Sequence, residues 1–212
     1  LSRLSMAGLV LGIAMLVTVL SVMNGFDREL RTRILGMVPH ATINGYQPIS
    51  DWQSLAERFE QNPKVVGTAP FIQLQGMLTH NGSVAPVLVN GIEPQAEKRV
   101  SILENHMQSG SLDNLSAGEF GIVIGELIAK RFNVAVGDKL TFVLPEASVT
   151  PAGVFPRLKR FTVTGVFKVG AELDSSLAMI HVDDAARLSR WEPGQVQGVR
   201  LKLKNLFEAP QV

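Results

Sequence analysis

The sequence predicts an N-terminal transmembrane helix followed by a mixed α+β domain. Residues 4–23 carry no charge and are mostly aliphatic, Met, Ala and Gly. A helix of that length spans roughly 30 Å, the thickness of a bilayer's hydrocarbon core. After Pro39, short alternating segments typical of strands are interrupted by amphipathic segments typical of helices. Because the two kinds do not alternate strictly as βαβ units, the pattern favours the α+β class.

A signal peptide and a buried core helix both fit the apolar run less well than a membrane-spanning helix. A signal peptide has a shorter apolar centre and a small-residue cleavage site, whereas this run is followed by Asn24-Gly25-Phe26. A buried core helix is shorter and more one-sided. A first transmembrane helix over residues 1–25 is therefore the prediction.

The flanking charges do not decide which side of the membrane holds the domain. Arg28, Arg31 and Arg33 outnumber Arg3, but acidic residues interleave with them. Long domains also cross the membrane largely regardless of flanking charge. The charges therefore leave the orientation open.

Residues 26–39 are predicted to continue the helix as an amphipathic stalk. Phe26, Leu30 and Ile34 recur at a spacing of four, which places them on one helical face. Gly36 and Pro39 end the segment. A stiff rod that transmits movement and a stalk with no mechanical role both remain possible.

The first part of the domain predicts a β-α-β-β unit. Ser50 and Gln53 have the spacing of a capping box, and the helix that follows ends before Asn62-Pro63. An Asn81-Gly82 turn joins two strands. The predicted elements are a strand at 40–45, a helix from 52, and strands at 65–79 and 84–89.

The second part predicts further strands with two short helices. A buried strand at 122–125 enters a helix from Glu126 to Phe132, where apolar residues recur every four positions. Strands follow at 139–144, 160–169 and 177–182, then a helix at 183–190 and a strand at 198–204.

A long segment, residues 146–159, separates two strands that are predicted to pair. It exceeds the two to five residues usual for a hairpin loop, and its prolines remove backbone donors. The prediction is a segment that cannot extend the sheet as a regular ladder and instead projects as a semi-rigid finger, with Val154 and Phe155 near its tip. Arg157, Lys159 and Arg160 place positive charge at its base. Docking of a soluble partner, steered by this charge, and burial of Phe155 against the domain both remain possible.

Composition limits the chemistry. The formal net charge is +1 and there is no cysteine, so neither a broad nucleic-acid surface nor thiolate or disulfide chemistry is indicated. The histidines (His40, His80, His106 and His181) lack metal-ligand spacing, and Asp183-Asp184 is interpreted as a helix cap. The prediction is a protein that is not an enzyme, with no cofactor or metal in this chain.

Several motifs together resemble the LolC/LolE family, membrane subunits of an ABC transporter that releases lipoproteins from the bacterial inner membrane. Residues 21–30, which close the membrane helix, resemble the start of this family's chains, and residues 34–40 continue the resemblance. Residues 123–138 resemble the wider MacB-like periplasmic domain, and residues 150–156 match a carrier-docking hook of the form T-P-x-G-x-x-P.

This resemblance implies a two-lobed MacB-like periplasmic domain with a protruding hairpin hook. Residues 40–95 with 196–212 would form a membrane-proximal lobe, and 96–195 an inserted β-rich lobe that carries the hook loop 146–159. The chain would be a fragment of a longer inner-membrane protein, with its large domain in the periplasm.

The resemblance also implies the function and the partners. The subunit would extract outer-membrane-directed lipoproteins and hand them to a soluble periplasmic carrier. Its partners would be cytoplasmic ATPase subunits, which hold ATP and magnesium, and a second membrane subunit, homologous or identical. The implied carrier-binding hook is Thr150, Pro151, Ala152, Gly153, Val154, Phe155 and Pro156, with Arg157, Lys159 and Arg160 at its base. The implied lipoprotein contact is Val22, Met23, Phe26 and Leu30.

Some features leave the subunit type open. The hook is typical of one subunit type, while residues 170–180 look closer to the hookless type, so a subunit serving both roles in a homodimer is also possible. The polar surface expected beside the hook is only partly present at Thr141, Leu158 and Lys159. Two other function classes remain open: a MacB-like scaffold that transmits conformational change to a periplasmic partner such as a cell-wall hydrolase without transport, and a membrane-anchored enzyme.

Overall fold

The computed structural model describes residues 2–35, 41–150, 153–170 and 172–204. Within these ranges, residues 2, 4, 27–35, 146–150 and 153–155 are described by their backbone alone. Contacts divide the chain into two compact units, Leu1–Val38 and Pro39–Val212. The first is a membrane-type helix and the second is an α+β domain.

The first unit contains a single helix, α1, over Ser2–Leu35. Its segment Ser5–Phe26 has a mean hydropathy of 2.4 and is long and apolar enough to cross a membrane. The helical backbone runs on to Leu35, which confirms the predicted helix beyond residue 25. The predicted stop at Gly36 and Pro39 and the charged side chains of the stalk lie outside what the structure describes.

The second unit contains nine strands and four helices among its described residues. The strands are β1 (Ala41–Ile49), β2 (Val65–His80), β3 (Ser83–Ile92), β4 (Met107–Gly110), β5 (Gly121–Gly125), β6 (Lys139–Thr150), β7 (Gly153–Phe167), β8 (Leu177–His181) and β9 (Val196–Leu203). The helices are α2 (Trp52–Glu60), α3 (Pro94–Val100), α4 (Glu126–Phe132) and α5 (Val182–Ser189).

The described strands form one sheet in the order β1-β9-β2-β3-β8-β5-β7-β4, and β6 pairs with both β2 and β7. The pairings β2-β3-β8-β5-β7-β6 therefore return to β2 and close a six-stranded circuit. Two of these pairings, β3 with β8 and β5 with β7, are parallel. Closing a sheet on itself removes exposed strand edges, which protects such strands from non-specific pairing.

The main hydrophobic core lies inside this circuit and beneath α4 and α5. Strand residues such as Leu78, Ile122, Leu140 and Phe161 are almost fully buried there. At Gly76 the two strands β2 and β6 approach so closely that an added Cβ would lie 2.5 Å from the Val143 carbonyl oxygen. A glycine is therefore required for β6 to pair with β2.

Most predicted elements are confirmed, with local corrections. The helix from Glu126 to Phe132 has the predicted bounds, and Asn81 and Gly82 adopt the positive φ of a tight hairpin turn. The predicted cap at Ser50 is wrong, because the carboxylate of Asp51 accepts the hydrogen bond from the Ser54 amide. Helix α3 is absent from the predicted elements, although Pro94 stands at its start, a position that favours proline.

The prediction that residues 146–159 cannot form a regular ladder is wrong. β6 and β7 stay paired through Ser148↔Phe155 to Thr150↔Gly153, which leaves only Pro151-Ala152 between the strands. The register shifts between Leu144 and Ala147, so Pro145 lies at a bulge. In a two-stranded ladder, alternate amides face away from the partner strand, so a proline can be accommodated without loss of a ladder bond.

Candidate functional site

The hairpin extends beyond the strands that flank it. β6 pairs with β2 only through Thr141, Phe142 and Val143, whereas its pairing with β7 continues to Thr150. We call the paired residues 147–150 and 153–156 the ribbon. The described residues of the hook, Thr150 and 153–156, form its end, so the structure places them on a two-stranded extension of the sheet.

The hook residues are described to different extents. The backbones of Thr150, Gly153, Val154 and Phe155 belong to the ladder, and Pro156 pairs with Ala147 and is exposed. Pro151 and Ala152 lie outside the described residues. The structure describes only the backbone of Phe155. Docking by its side chain and burial of that side chain against the domain therefore both stay predictions.

Arg157 begins the part of β7 that lies below the ribbon. Its Nη1 donates a hydrogen bond of 2.8 Å to the backbone carbonyl of Leu188. That carbonyl belongs to the last turn of α5, where helix carbonyls lack helical partners and carry partial negative charge. The guanidinium is thus engaged with the body of the domain.

Lys159 lies on the same face of β7 two residues further along. Its Nζ sits 3.4 Å from the ring centroid of Phe120, a cation–π contact. Such contacts contribute about 0.5–1 kcal/mol when exposed and about 2 kcal/mol when desolvated. The Phe120 ring in turn packs edge-on against Phe161 at 5.8 Å, so Lys159 covers an aromatic pair that leads into the core.

Phe120 is held in an unusual conformation by a buried carboxylate. Its φ is 53°, a region that non-glycine residues rarely adopt. Asp184, at the start of α5 and fully buried, accepts hydrogen bonds from the amides of Gly118 at 2.8 Å and Phe120 at 3.1 Å. The prediction that the pair Asp183-Asp184 caps the helix is therefore wrong, since the carboxylate of Asp183 accepts from the Gly194 amide. The cap is His181, whose side chain accepts from the Asp183 amide.

The opposite face of the hairpin is open and largely apolar. Arg160 is exposed on this face, and so is Leu158, which is 62% exposed. Cross-strand pairing continues from Leu158 through Val143 and Met77 to Pro86. An open groove of about 510 Å³ lies along this row, with Gln75, Gly76, Met77, Pro86, Val87, Leu88, Pro145 and Ser176 as its lining.

The predicted basic base is thus divided between the two faces. Arg157 and Lys159 have partners within the domain, whereas Arg160 is exposed on the other side. No sequence pattern indicates that the Leu188 carbonyl and the Phe120 ring are the partners of Arg157 and Lys159, because both are distant from β7 along the chain.

The predicted lipoprotein contact lies on α1. Val22, Met23 and Phe26 are exposed, each by about two thirds of its surface, as expected of residues in a helix considered by itself. The side chain of Leu30 lies outside the described set. These residues present an apolar surface that is suited to acyl chains or to another apolar helix.

No metal constellation is found among the described residues. They contain no group of three His, Asp or Glu that could hold a metal ion. Glu126 has its pKa lowered by hydrogen bonds from Lys130 and Lys168, as expected of a surface ion pair. The buried pair Glu97–Arg200 joins α3 to β9. These charges are engaged in structural contacts.

An apolar helix followed by an α+β sheet domain with a projecting hairpin is the arrangement expected of a membrane-anchored domain. The chain belongs to the family of MacB-like periplasmic core domains, whose model matches residues 2–212. It is 42% identical to the lipoprotein-releasing system transmembrane protein LolC of Neisseria meningitidis, over 99% of this chain and 51% of that protein. It is 36% identical to LolE of Haemophilus influenzae, over 99% of this chain and 51% of that protein.

These findings confirm the predicted membership of the LolC/LolE family. The predicted location, the bacterial inner membrane with the large domain in the periplasm, is also confirmed. The chain spans about half the length of the curated relatives it matches. Among solved structures, the extracellular domain of the ABC-type transporter YknZ from Gram-positive bacteria is similar in fold. Its TM-score is 0.52 at 11% identity, over 79% of each chain. The predicted division into two lobes stays a prediction.

Proposed function

We propose that this chain is part of a membrane subunit of an ABC transporter that extracts lipoproteins from the inner membrane and passes them to a soluble periplasmic carrier. The observation that carries the proposal is the ribbon, which extends Thr150 and residues 153–156 of the predicted hook beyond the sheet of a LolC/LolE-type domain. A carrier docked there would receive a lipoprotein without entering the membrane. The likeness to LolC and LolE supports this function.

The exposed face beside the hook supports the same function. Leu158, Val143 and Met77 form an apolar row that leads from the ribbon root across the sheet, and Arg160 borders it. Apolar contact with a charged rim is typical of protein docking surfaces. Of the three basic residues at the base of the hook, only Arg160 is therefore expected to attract the carrier electrostatically.

We assign ATP hydrolysis to other subunits of the transporter. The chain contains no G-x-x-x-x-G-K-[ST] motif, and we place ATP and magnesium on cytoplasmic ATPase subunits. A second membrane subunit, homologous or identical, would complete the pair. Because the chain resembles both LolC and LolE, an identical partner that shares both roles is included in the proposal.

The first experiment places a photocrosslinking residue at Phe155 in the full-length protein in its membrane. We expect capture of the soluble carrier, and loss of that capture when the crosslinker is kept at position 155 while residues 151–154 and 156 are replaced by Gly and Ser. A matched crosslinker at Glu57, exposed on α2, should capture none. Crosslinks only within the chain would contradict docking at the hook. Capture of a cell-wall hydrolase would favour the MacB-like scaffold instead.

The lipoprotein contact is tested separately on α1. A crosslinker at Met23 should capture a lipoprotein substrate more efficiently when the ATPase is blocked before release. Leu11, equally apolar and exposed on the same helix, is the matched control. Equal capture at both positions would indicate general exposure to lipid rather than a substrate path.

A further inference from the structure

The ribbon needs a means of fixing its direction. Beyond the bulge at Pro145 it consists of two strands only, and an isolated two-stranded hairpin is marginally stable in water. Bulges also bend and twist the strands that carry them. The direction of the ribbon must therefore be set where it joins the domain.

Two side chains at this junction contact the domain on one face of β7. Arg157 donates to the Leu188 carbonyl, and the Lys159 ammonium sits over the Phe120 ring. Arg157 and Lys159 are both partly buried. Leu158, which lies between them, and Arg160, which follows them, are exposed. The alternation of the strand thus separates the residues that face the domain from those that face solvent.

Both contacts lead to the same helix. The Leu188 carbonyl belongs to the last turn of α5. Phe120 is fixed through its amide to Asp184 in the first turn of α5. Asp184 is fully buried and Phe120 also packs on Phe161, so neither attachment point can shift without disturbing the core. The junction is clamped to both ends of α5.

We propose that Arg157 and Lys159 are positioning residues that set the direction of the ribbon by fixing its root to α5. They act on carrier docking through the ribbon and do not contact the carrier. This role depends on the proposed function in one respect: it assumes that the ribbon is where the carrier docks. It replaces the simpler idea that all three basic residues at the base attract the partner directly.

The test measures ribbon direction and carrier binding in the same variants. These 212 residues contain no cysteine. Once any cysteine elsewhere in the full-length protein and its partner subunits is replaced, spin labels at Ser148→Cys on the ribbon and Leu127→Cys on α4 report one distance. The full-length complex is diluted with unlabelled copies to keep one labelled chain per particle. Carrier affinity is measured on unlabelled complexes.

We expect Arg157→Ala and Lys159→Ala to broaden the distance distribution and to weaken carrier binding. If the competent direction falls to about a tenth of the population, the apparent affinity falls about tenfold. Phe120→Leu should reproduce the effect of Lys159→Ala although every charge is retained. Phe120→Tyr, which keeps the ring, should restore both readouts. Arg160→Ala is the matched charge control and should leave the distance distribution unchanged.

Two outcomes would overturn the proposal. One is weaker carrier binding in Arg157→Ala or Lys159→Ala with an unchanged distance distribution, because the residues would then contact the carrier directly. The other is an unchanged distribution in Phe120→Leu. If the distributions broaden as expected while no version of the protein binds carrier, the positioning role stands and the proposed function fails.

Discussion

At the scale of single residues, the buried carboxylate of Asp184 has a structural role that the sequence does not reveal. A local pattern, two acidic residues at a helix start, predicts a cap. The actual acceptor contacts are with Gly118 and Phe120, 66 and 64 residues away along the chain. Local spacing contains no information about such contacts. By contrast, the turn at Asn81-Gly82 depends only on adjacent residues, and its prediction is correct.

Asp184→Asn is expected to destabilise the loop that holds Phe120. An amide side chain can accept through one oxygen only, so one of the two backbone amides loses its partner. The expected cost is about 1–3 kcal/mol, measured as faster hydrogen–deuterium exchange at Gly118 and Phe120. Asp183→Asn is the control, and protection unchanged in both variants would contradict the role assigned to Asp184.

Asp113 provides a pH-dependent prediction. A hydrogen bond from Lys98, the largest cause, lowers the pKa of this carboxyl in the folded protein. Its stabilising contribution is therefore complete above the unfolded pKa of about 3.9 and is lost as the pH falls through the lower folded value. Carboxyl NMR titration should give a midpoint below the usual range, and Lys98→Met should raise it. An identical midpoint in both proteins would show that the ion pair has no effect.

At the scale of elements, periodicity predicts those strands and helices whose signal is local. The helix from Glu126 to Phe132 has apolar residues every four positions, and its predicted bounds match the structure. The sequence predicts a long loop between β6 and β7, because Pro151 and Pro156 are interpreted as signs of broken pairing. The structure instead shows a paired hairpin. One of these prolines lies in the connection between the strands, and the other belongs to a ladder with only two strands. Whether a proline breaks strand pairing thus depends on how many strands lie beside it, and the sequence does not show that number.

The closure of β6 on β2 can be tested at Gly76. In Gly76→Ala the new methyl would lie 2.6 Å from the Phe142 ring and closer still to the Val143 carbonyl. The two strands must separate, with an expected cost of about 1–3 kcal/mol for overpacking. Thermal unfolding of the detergent-solubilised protein measures it. Gln75→Ala, at the exposed neighbouring position, should change little; equal effects would indicate that the close approach is unimportant.

At the scale of the whole molecule, distant parts of the chain are joined by a buried ion pair. Arg200 of β9 pairs with Glu97 of α3, and both side chains are almost fully buried. Arg200 also lies 5.6 Å from the centroid of the Phe71 ring on β2. The family resemblance predicts the class of fold, but this contact and the closed circuit of strands required the structure, because both depend on pairing between distant segments.

Arg200→Met is expected to destabilise the domain by about 3–5 kcal/mol, because it leaves the carboxylate of Glu97 buried without its partner. The double variant Glu97→Leu, Arg200→Met removes both charges and should recover much of the loss. Thermal unfolding of the two proteins compares them. A double variant that is less stable than Arg200→Met would contradict this explanation, because the loss of stability would then not come from an unpaired Glu97 carboxylate.

The ladder of the ribbon also determines how the hook responds to force. A pull on the tip along the strands loads β6 and β7 in the same direction, so the load passes to the pairings that these strands make within the closed circuit. A sideways push at the tip bends a ribbon that has only two strands beyond Pro145. A partner that approaches along the ribbon axis would therefore meet more resistance than one that levers the tip aside.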